Sequence, residues 1–466
     1  MKNCSQKVVF MQNCTTVSSQ SHNRLFSNRA LWALLVPLMV EQLLNSLMGT
    51  ADTIMVSNVG AAAMSAVSLV DSINVLVIQA FSALAAGGCI ICSQYIGKEK
   101  PKEAERAAKQ VLLVVFLISA VITVLCMISN RELLHLVFGQ VEADVMDAAV
   151  IYFYYTALSF PFIGLYDAGA AIYRAQGNSR LPMTVSVISN FLNIIGNAVF
   201  IWGFHMGVSG AALSTLLSRV FCAVVVLAFL HREGQTITVN HYIKTRPQWQ
   251  LILSILAIGI PSGVENSMFQ FGKLAIQSSV STMGTTAIAA QAMANIMENL
   301  NGIAPMGMGI GLMTVVGQCI GAGRKDEAVY YIRKVCVWAE ICLIISCVLV
   351  YLAARPVTVI AAMEPESAAL CVYMVGWITV CKPIFWVGSF IPGYGMRAAG
   401  DVKFSMIVST ITMWLCRVSL CIFLVRALHF GPMAVWIGMF TDWGVRSIIF
   451  FGRFHSRKWL EHRVVA

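Results

Sequence analysis

Residues 36–56 read VPLMVEQLLNSLMGTADTIMV. The run is long and apolar enough to cross a hydrocarbon core of ~30 Å as one helix, yet it contains the carboxylates Glu41 and Asp52. Lipid offers no hydrogen bonds, so ionisable groups at this depth have to face other protein groups or water. The stretch therefore predicts a membrane-spanning helix with one polar side, packed into a bundle with a partly polar interior.

The whole chain has the composition of a membrane protein. Of its 466 residues, 58% are hydrophobic and 12% are charged, and its mean hydropathy is +0.75, which excludes an ordinary soluble domain. Apolar runs of spanning length recur along the chain. We predict an all-α integral membrane protein with about twelve transmembrane helices, over 30–56, 61–92, 108–129, 147–173, 181–204, 208–230, 249–280, 285–316, 329–353, 367–394, 402–425 and 431–452.

The basic residues are distributed unequally between the two sets of loops. With the N-terminus inside, only Arg131, Arg355 and Arg426 fall in outer loops, and the remaining loop and tail lysines and arginines fall on the cytoplasmic side. The positive-inside rule then gives a multi-pass protein of the cell (inner) membrane with both termini cytoplasmic. The net charge of +10 is explained by topology, and we expect no nucleic-acid partner. Residues 1–28 lack the apolar core of a signal peptide and are expected to form a polar tail.

The sequence contains a tandem repeat. Pro37 and Glu41 are matched by Pro261 and Glu265, 224 positions later, and the same offset relates further residues, namely Gly60 and Gly284, Gly87 and Gly311, Gln94 and Gln318, and Gly97 and Gly321. Parallel repeats with a cavity between the halves are a transporter architecture. We therefore predict two six-helix lobes around a central cavity, with a cytoplasmic tail (1–29), an N-terminal lobe (30–231), a cytoplasmic linker (232–248), a C-terminal lobe (249–455) and a second tail (456–466).

Polar residues within the spans recur at helical spacing, so that they share a helix face. The stripes are Glu41, Asn45 and Asp52 in the first span, Asn190, Asn193 and Asn197 in the fifth, Glu265, Gln270 and Lys273 in the seventh, and Gln291, Asn295 and Glu298 in the eighth. Such faces are expected to point at other protein or at water.

Some of these charges have a structural interpretation as ion pairs. Asp442 and Arg446 are four residues apart and are expected to pair, with Arg417 as a third candidate. Lys273 could neutralise the carboxylate of Glu265 or Glu298. Two further cations are Arg219, expected near the inner surface with its side chain snorkelling, and Lys382, which precedes a proline at a possible helix break and could serve structure or substrate contact.

The two carboxylates of the opening stretch differ in how they repeat. Glu41 has a twin in Glu265, each four residues after a proline, so we interpret this pair as structural, partnering backbone groups near the prolines. Asp52 has no twin, because its counterpart is Ile276. A carboxylate present in one lobe only is the better candidate for a chemical role, although it could also lie near the outer surface and simply face water.

The chain resembles the multidrug and toxic compound extrusion (MATE) family over about 30–455. The most specific segments are the opening stretch, RAQGNSRLPMTVSVISNFLNIIGNAVFIWG followed by GVSGAALST, and IGIPSGVENSMFQFGKLAIQ with VVGQCIGAG. The resemblance implies a cation-coupled antiporter that expels organic, mostly cationic compounds and drugs from bacteria.

The resemblance also implies a coupling site in the first lobe. The family places an Asp fifteen residues after the first-span proline, an Asn and a further Asp or Asn in the fifth span and a Thr in the sixth, which correspond here to Asp52, Asn193, Asn197 and Thr215. These oxygens suit Na⁺, and the carboxylate alone suits H⁺. One branch has a second-lobe site, but Phe269 and Lys382 stand where its acidic residues would be, which argues against that site here.

The substrate cavity is less well defined by the sequence. Candidate lining residues are Asp71, Asn295, Glu298, Lys273, Met268 and Met293, since acidic groups attract cations and flexible thioethers suit varied ligands. Ordinary helix packing is the alternative for each of them. We expect no cofactor beyond the coupling ion, no resident metal, lipid as the surroundings, small organic molecules as partners and a monomer.

Two other functional classes compete with this interpretation. A lipid-linked saccharide flippase of the same superfamily would have a strongly cationic cavity. Away from the span ends, the only lysines and arginines within spans here are Lys273, Lys382, Arg219, Arg417 and Arg446. An intramembrane enzyme would need paired catalytic groups, but the sequence has no HExxH or DDxxD-type motif. The 14 cysteines are scattered and are interpreted as apolar filler. We therefore predict a transporter and not an enzyme.

Overall fold

The computed structural model describes residues 24–139, 142–240, 245–428, 430–462 and 464, and the regular elements in these residues are helices. In chain order they are α1 Asn28–Ser57, α2 Ala61–Gly97, α3 Pro101–Ile128, α4 Asn130–Phe138, α5 Ala143–Leu158, α6 Phe160–Ala175, α7 Arg180–Asn197, α8 Val208–Leu230, α9 Trp249–Val280, α10 Thr285–Gly321, α11 Lys325–Ile360, α12 Pro365–Ala398, α13 Val402–Thr412, α14 Leu420–Arg426 and α15 Met433–His455. Two π-helical segments follow α7 and α13, at Ala198–Gly203 and Met413–Ser419.

Within the described residues, eleven helices are long and apolar enough to cross a membrane, or twelve if α5 and α6 count as one span bent by 41°. The all-α membrane fold is thus confirmed. The sequence predicted one continuous span over 147–173, whereas the structure breaks it at Ser159. Pro161, just beyond the break, has no backbone N–H to continue the helix, and the Ser159 hydroxyl donates to the Thr156 carbonyl at 2.6 Å.

The expected break at Lys382 and Pro383 is wrong. Helix α12 runs unbroken from Pro365 to Ala398 and contains both Pro383 and Pro392. Neighbouring helices in a bundle can satisfy the backbone groups that a proline frees, so prolines are tolerated inside membrane helices.

The two lobes approach closely at the end where α2 and α10 terminate. A Cβ atom at Gly97 would lie 2.1 Å from the carbonyl oxygen of Gln318, and one at Gly321 would lie 2.1 Å from that of Gln94. Only glycine allows two backbones to cross at this distance. The repeated pair Gly97 and Gly321 therefore marks the crossing point of the lobes.

Two hydrogen bonds join the lobes at this crossing. The Gln94 amide donates to the carbonyl of Ala398, the last residue of α12, at 2.9 Å. The Gln318 amide donates to the carbonyl of Ala175, the last residue of α6, at 2.8 Å. Helix-terminal carbonyls lack partners within their own helix, so each lobe caps a helix of the other.

The hydrophobic core is continuous across the lobes only near this crossing. One cluster of buried residues there includes Leu31, Cys92 and Ile172 of the first lobe with Ile255 and Cys319 of the second. Toward the opposite end, the first lobe has a separate core of its own residues, among them Val70, Phe153 and Ala212. The lobes therefore pack together at one end, next to the basic loops.

Candidate cation-coupling site

The structure brings together the four residues that the resemblance indicated for the coupling site. The Asn197 amide donates to Asp52 Oδ1 at 2.7 Å and to Asn193 Oδ1 at 3.3 Å. The Asn193 amide in turn donates to Thr215 Oγ1 at 3.3 Å. Helices α1, α7 and α8 thus contribute one connected chain of polar side chains inside the first lobe.

A close crossing of α7 and α8 places the asparagines beside the threonine. A Cβ atom at Gly196 would lie 2.4 Å from Ser214 Oγ, so the helices can approach only because position 196 is glycine. The Ser214 hydroxyl donates to the Asn193 carbonyl at 2.8 Å, and Thr215 Oγ1 donates to the Ala211 carbonyl at 3.0 Å. The π-helical segment begins directly after Asn197, and π segments inside α-helices are frequent at functional sites.

The site contains an oxygen with no hydrogen-bond partner. Asn197 Oδ1 is buried and accepts no hydrogen bond from any described residue. An orphaned buried acceptor costs about 1–3 kcal/mol, and a cation would satisfy it. The oxygens of Asp52, Asn193, Asn197 and Thr215 form a set that suits Na⁺, and Asp52, which is half-buried, can alternatively hold a proton.

The polar stripe of α1 packs against α7 and α6, as the spacing of its residues predicted. The Ser186 hydroxyl donates to Asn45 Oδ1 at 3.1 Å, and the Tyr166 hydroxyl lies 3.3 Å from Glu41 Oε1. Asp52, Asn45 and Glu41 therefore meet neighbouring helices in order along the span.

The Glu41 and Glu265 carboxylates are both buried but differ from expectation in their partners. Glu41 accepts from Tyr166, and Glu265 Oε2 lies 3.5 Å from the Ser405 hydroxyl and 3.6 Å from the Arg397 guanidinium. The contacts of both carboxylates in the described residues are thus with side chains of other helices and not with backbone near the prolines; the structural role of the pair stays a prediction. The prolines leave carbonyls to satisfy, and a carboxylate cannot donate to a carbonyl.

Arg219 does not lie near the inner surface as expected. It stands halfway along α8, and its Nη1 donates to the Ser159 hydroxyl at 2.7 Å, where the fourth span bends. Its charge lies within electrostatic range of Asp71 and Asp52. Asp71 Oδ1 also accepts from the Tyr152 hydroxyl at 3.3 Å. Helix spacing alone could not reveal that the bend presents a hydroxyl at this depth.

Lys273 forms no ion pair with Glu265 or Glu298 in the described residues, although its charge acts on Glu298. Lys382 donates to Glu298 Oε1 at 2.5 Å and to the Glu298 carbonyl at 2.7 Å, and its side chain is 1% exposed. The predicted pair of Asp442 and Arg446 is confirmed, with Arg446 Nη2 at 2.6 and 2.7 Å from the two carboxylate oxygens.

The other residues considered for the substrate cavity are dispersed. Asn295 accepts from Gln291 at 3.4 Å, Met293 packs against the main core, and Met268 is half-buried while Lys273 is exposed. Sequence reasoning missed Asp167 in the fourth span, whose Oδ2 accepts from the Ser82 hydroxyl at 2.6 Å. A lone carboxylate in an apolar run was the available signal.

The cysteines behave as the sequence suggested. Each cysteine in the described ranges is a free thiol, and Cys89 Sγ contacts Thr314 Oγ1 at 3.5 Å. The described residues contain no group of His, Cys, Asp and Glu side chains that could hold a metal ion.

A family comparison decides the classification of the chain. The MatE family model matches residues 37–199 and 261–423, which are the two repeats in the register given by the 224-residue offset. The chain belongs to the MatE family. This multidrug-efflux transporter family explains the paired lobes and the membrane spans, and its match over both halves does not favour the flippase alternative.

Named relatives cover nearly the whole chain. The uncharacterized transporter YisQ of Bacillus subtilis is 27% identical over 440 residues, covering 93% of this chain and 95% of that protein. The probable multidrug resistance protein NorM of Thermotoga maritima is 25% identical over 436 residues, covering 93% of each. A crystal structure of MATE in the bent conformation superposes with a TM-score of 0.83 at 20% identity, covering 92% of this chain and 94% of the other, which supports the fold.

Proposed function

We propose that this protein is an antiporter, coupled to H⁺ or Na⁺, that exports organic and mostly cationic compounds by alternating access. The observation that carries the proposal is the hydrogen bond from Asn197 to Asp52, next to the unpartnered Asn197 Oδ1. In this hydrogen-bonded chain the Asp52 carboxylate has no basic partner, and the amide oxygens of Asn193 and Asn197 and the hydroxyl of Thr215 belong to the same chain.

Coupling requires that the ion and the substrate favour different conformations, because a ligand with equal affinity for both shifts nothing. When H⁺ or Na⁺ occupies the site, it neutralises Asp52 and removes the electrostatic attraction for a cationic substrate. When the ion leaves, that attraction returns. Asp71 adds to it, since its charge interacts with that of Asp52.

The described conformation supports alternating access. The lobes are joined by the Gln94 and Gln318 hydrogen bonds beside the basic loops. With those loops in the cytoplasm, as the positive-inside rule indicates, the lobes are joined at the cytoplasmic end, and we take this as the outward-facing state. Opening inward would require both hydrogen bonds to break. The proposal includes that both termini are cytoplasmic, that the protein lies in the inner membrane and that it acts as a monomer.

The test is efflux of a fluorescent cationic dye from proteoliposomes under separately imposed Na⁺ and H⁺ gradients. Asp52→Asn, nearly isosteric but unable to titrate, should fold normally, retain dye binding with weakened ion dependence and lose gradient-driven efflux. Asp144→Asn, in the first turn of α5, is the matched control and should transport like the parent. Full efflux by Asp52→Asn with intact ion dependence would move the coupling charge elsewhere, with Asp71 and Glu298 as the next candidates.

A further inference from the structure

Within its membrane spans, the second lobe has more basic side chains than acidic ones, and two of the basic ones, Lys273 and Arg417, are not ion-paired in the described residues. Glu298 forms an ion pair with Lys382, and Asp442 forms one with Arg446. Lys273 and Arg417 make no ion pair with a described residue; the charges of Asp442 and Glu298 act on Arg417, and those of Arg417 and Glu298 act on Lys273. Two carboxylates therefore stand against four cations at this level. An unbalanced pair of positive charges within a membrane bundle is costly, so their retention calls for an explanation.

Helix α9, which carries Lys273, packs directly on the π-helical segment that carries Arg417. Gly272, adjacent to Lys273 in α9, packs directly on the π-helical segment, because a Cβ atom there would lie 2.3 Å from Met413 and 3.4 Å from Val418. Arg417 stands in that same segment. Its Nε is buried and donates to no described residue, whereas the Lys273 side chain is exposed.

The position corresponds to the coupling site of the first lobe. Arg417 is 224 residues after Asn193, and the crossing of the fifth and sixth spans is kept. In the first lobe Ser214 bonds to the Asn193 carbonyl; in the second, a Cβ atom at Gly438 would lie 2.8 Å from the Arg417 carbonyl. The two lobes share this helix crossing, but the Arg417 guanidinium stands in the second lobe where the first has the Asn193 amide, and Ile276 stands where the first has Asp52.

We propose that Lys273 and Arg417 form a subsite for a carboxylate group of the transported molecule. The subsite deepens the proposed transport function and extends its substrates to zwitterions, whose cationic part would face the acidic first lobe. The unpartnered Nε of Arg417 supplies a directed donor, and Lys273 supplies an accessible point charge. The Glu298 charge also acts on both cations, but its ion pair is with Lys382, at 2.5 Å, so it leaves Lys273 and Arg417 without an ion-paired carboxylate.

The experiment compares two dyes that differ in one group: rhodamine B, which has a free carboxylate, and its ethyl ester. Equilibrium binding to the purified full chain, measured by fluorescence polarisation, should show about tenfold tighter binding of rhodamine B, the expected value of one charge-assisted contact. In Lys273→Gln and in Arg417→Gln the ratio of the two dissociation constants should fall toward one. Arg355→Gln, near the C-terminal end of α11, is the control.

A second measurement keeps the inference testable if a variant folds poorly or neither dye binds. 1-Naphthoate alone should raise the melting temperature of the parent more than that of Lys273→Gln. In the dye assay, equal affinities of the parent for the two dyes, or an undiminished preference in both variants, would overturn the subsite. In the melting assay, so would a naphthoate shift that is absent from the parent or that Lys273→Gln leaves unchanged. Failure of the transport proposal would instead appear as loss of ion-dependent efflux of the ester.

Discussion

The crossing of Gly97 and Gly321 makes a sharp prediction about conformational equilibrium. Alanine at either position would bring a methyl group to 2.1 Å from the facing carbonyl oxygen, of Gln318 or Gln94 respectively. A relaxed carbon–oxygen contact is about 3.3 Å, so the backbones would have to separate by roughly 1.2 Å. Because the atom that clashes with the new methyl group is a backbone carbonyl oxygen, a change of side-chain rotamer cannot relieve the overlap.

This separation is enough to break the hydrogen bonds between the lobes. The Gln94–Ala398 distance of 2.9 Å and the Gln318–Ala175 distance of 2.8 Å would both stretch to about 4 Å, beyond hydrogen-bonding range. Each bond contributes about 1 kcal/mol, so losing both costs the closed end about 2 kcal/mol. That corresponds to a roughly 30-fold shift toward conformations in which this end is open.

The assay is pulsed EPR between genetically encoded spin labels at Lys100 and Lys325, which follow α2 and α10 on the two sides of the crossing. The Gly97→Ala/Gly321→Ala variant should show a longer and broader distance distribution and reduced efflux, with each lobe still folded. Gly263→Ala lies at the same interface, but its Cβ would meet its nearest neighbour at an ordinary 3.8 Å, so it should match the parent. A parental distance distribution in the double variant would refute the reasoning.

Three further predictions concern topology, the second lobe and the coupling site. Single labels at Gly139 and Glu99 should react from outside and inside the cell respectively, and reversed labelling would contradict the N-terminus-inside assignment. Lys382→Met should lower stability by about 3–5 kcal/mol, since it strands the Glu298 charge; adding Glu298→Gln should recover much of the melting temperature, and no recovery would argue against charge as the cause. Gly196→Ala would meet a facing side chain at 2.4 Å, so it should weaken Na⁺ or H⁺ dependence of dye binding more than dye affinity itself, and equal losses would contradict this.

The sequence predicted contacts well where the repeat or helical spacing fixed the geometry. Asp442 and Arg446 share a helix face, so their pairing followed from their spacing alone. The family resemblance indicated Asp52, Asn193, Asn197 and Thr215, and the structure joins these four side chains by hydrogen bonds; their role in coupling stays a proposal. Their hydrogen-bonding order, with Asn197 between Asp52 and Asn193, required the structure, because spacing does not orient side-chain amides.

Partners on different helices could not be predicted. The Glu298–Lys382 pair joins residues 84 positions apart, and Lys273 was an equally plausible cation on composition. The repeat likewise showed that Gln94 and Gln318 are equivalent, but not that each reaches into the other lobe. Equivalence in a repeat fixes the backbone path within a lobe, whereas contacts between lobes depend on how the two are docked.

The two lobes have kept one scaffold while their charges diverged, and this division has a consequence for coupling. An ion that competes with the cationic part of a substrate needs a carboxylate, and Asp52 provides one in the first lobe. If the second lobe kept a carboxylate at position 276, the ion could bind there without displacing the substrate, and the coupling would be weaker. Ile276 removes that possibility, and Arg417 in place of an amide repels cations from the same level. If Asp52 couples the ion as proposed, this asymmetry confines ion binding to the first lobe and leaves the second lobe able to bind a different chemical group.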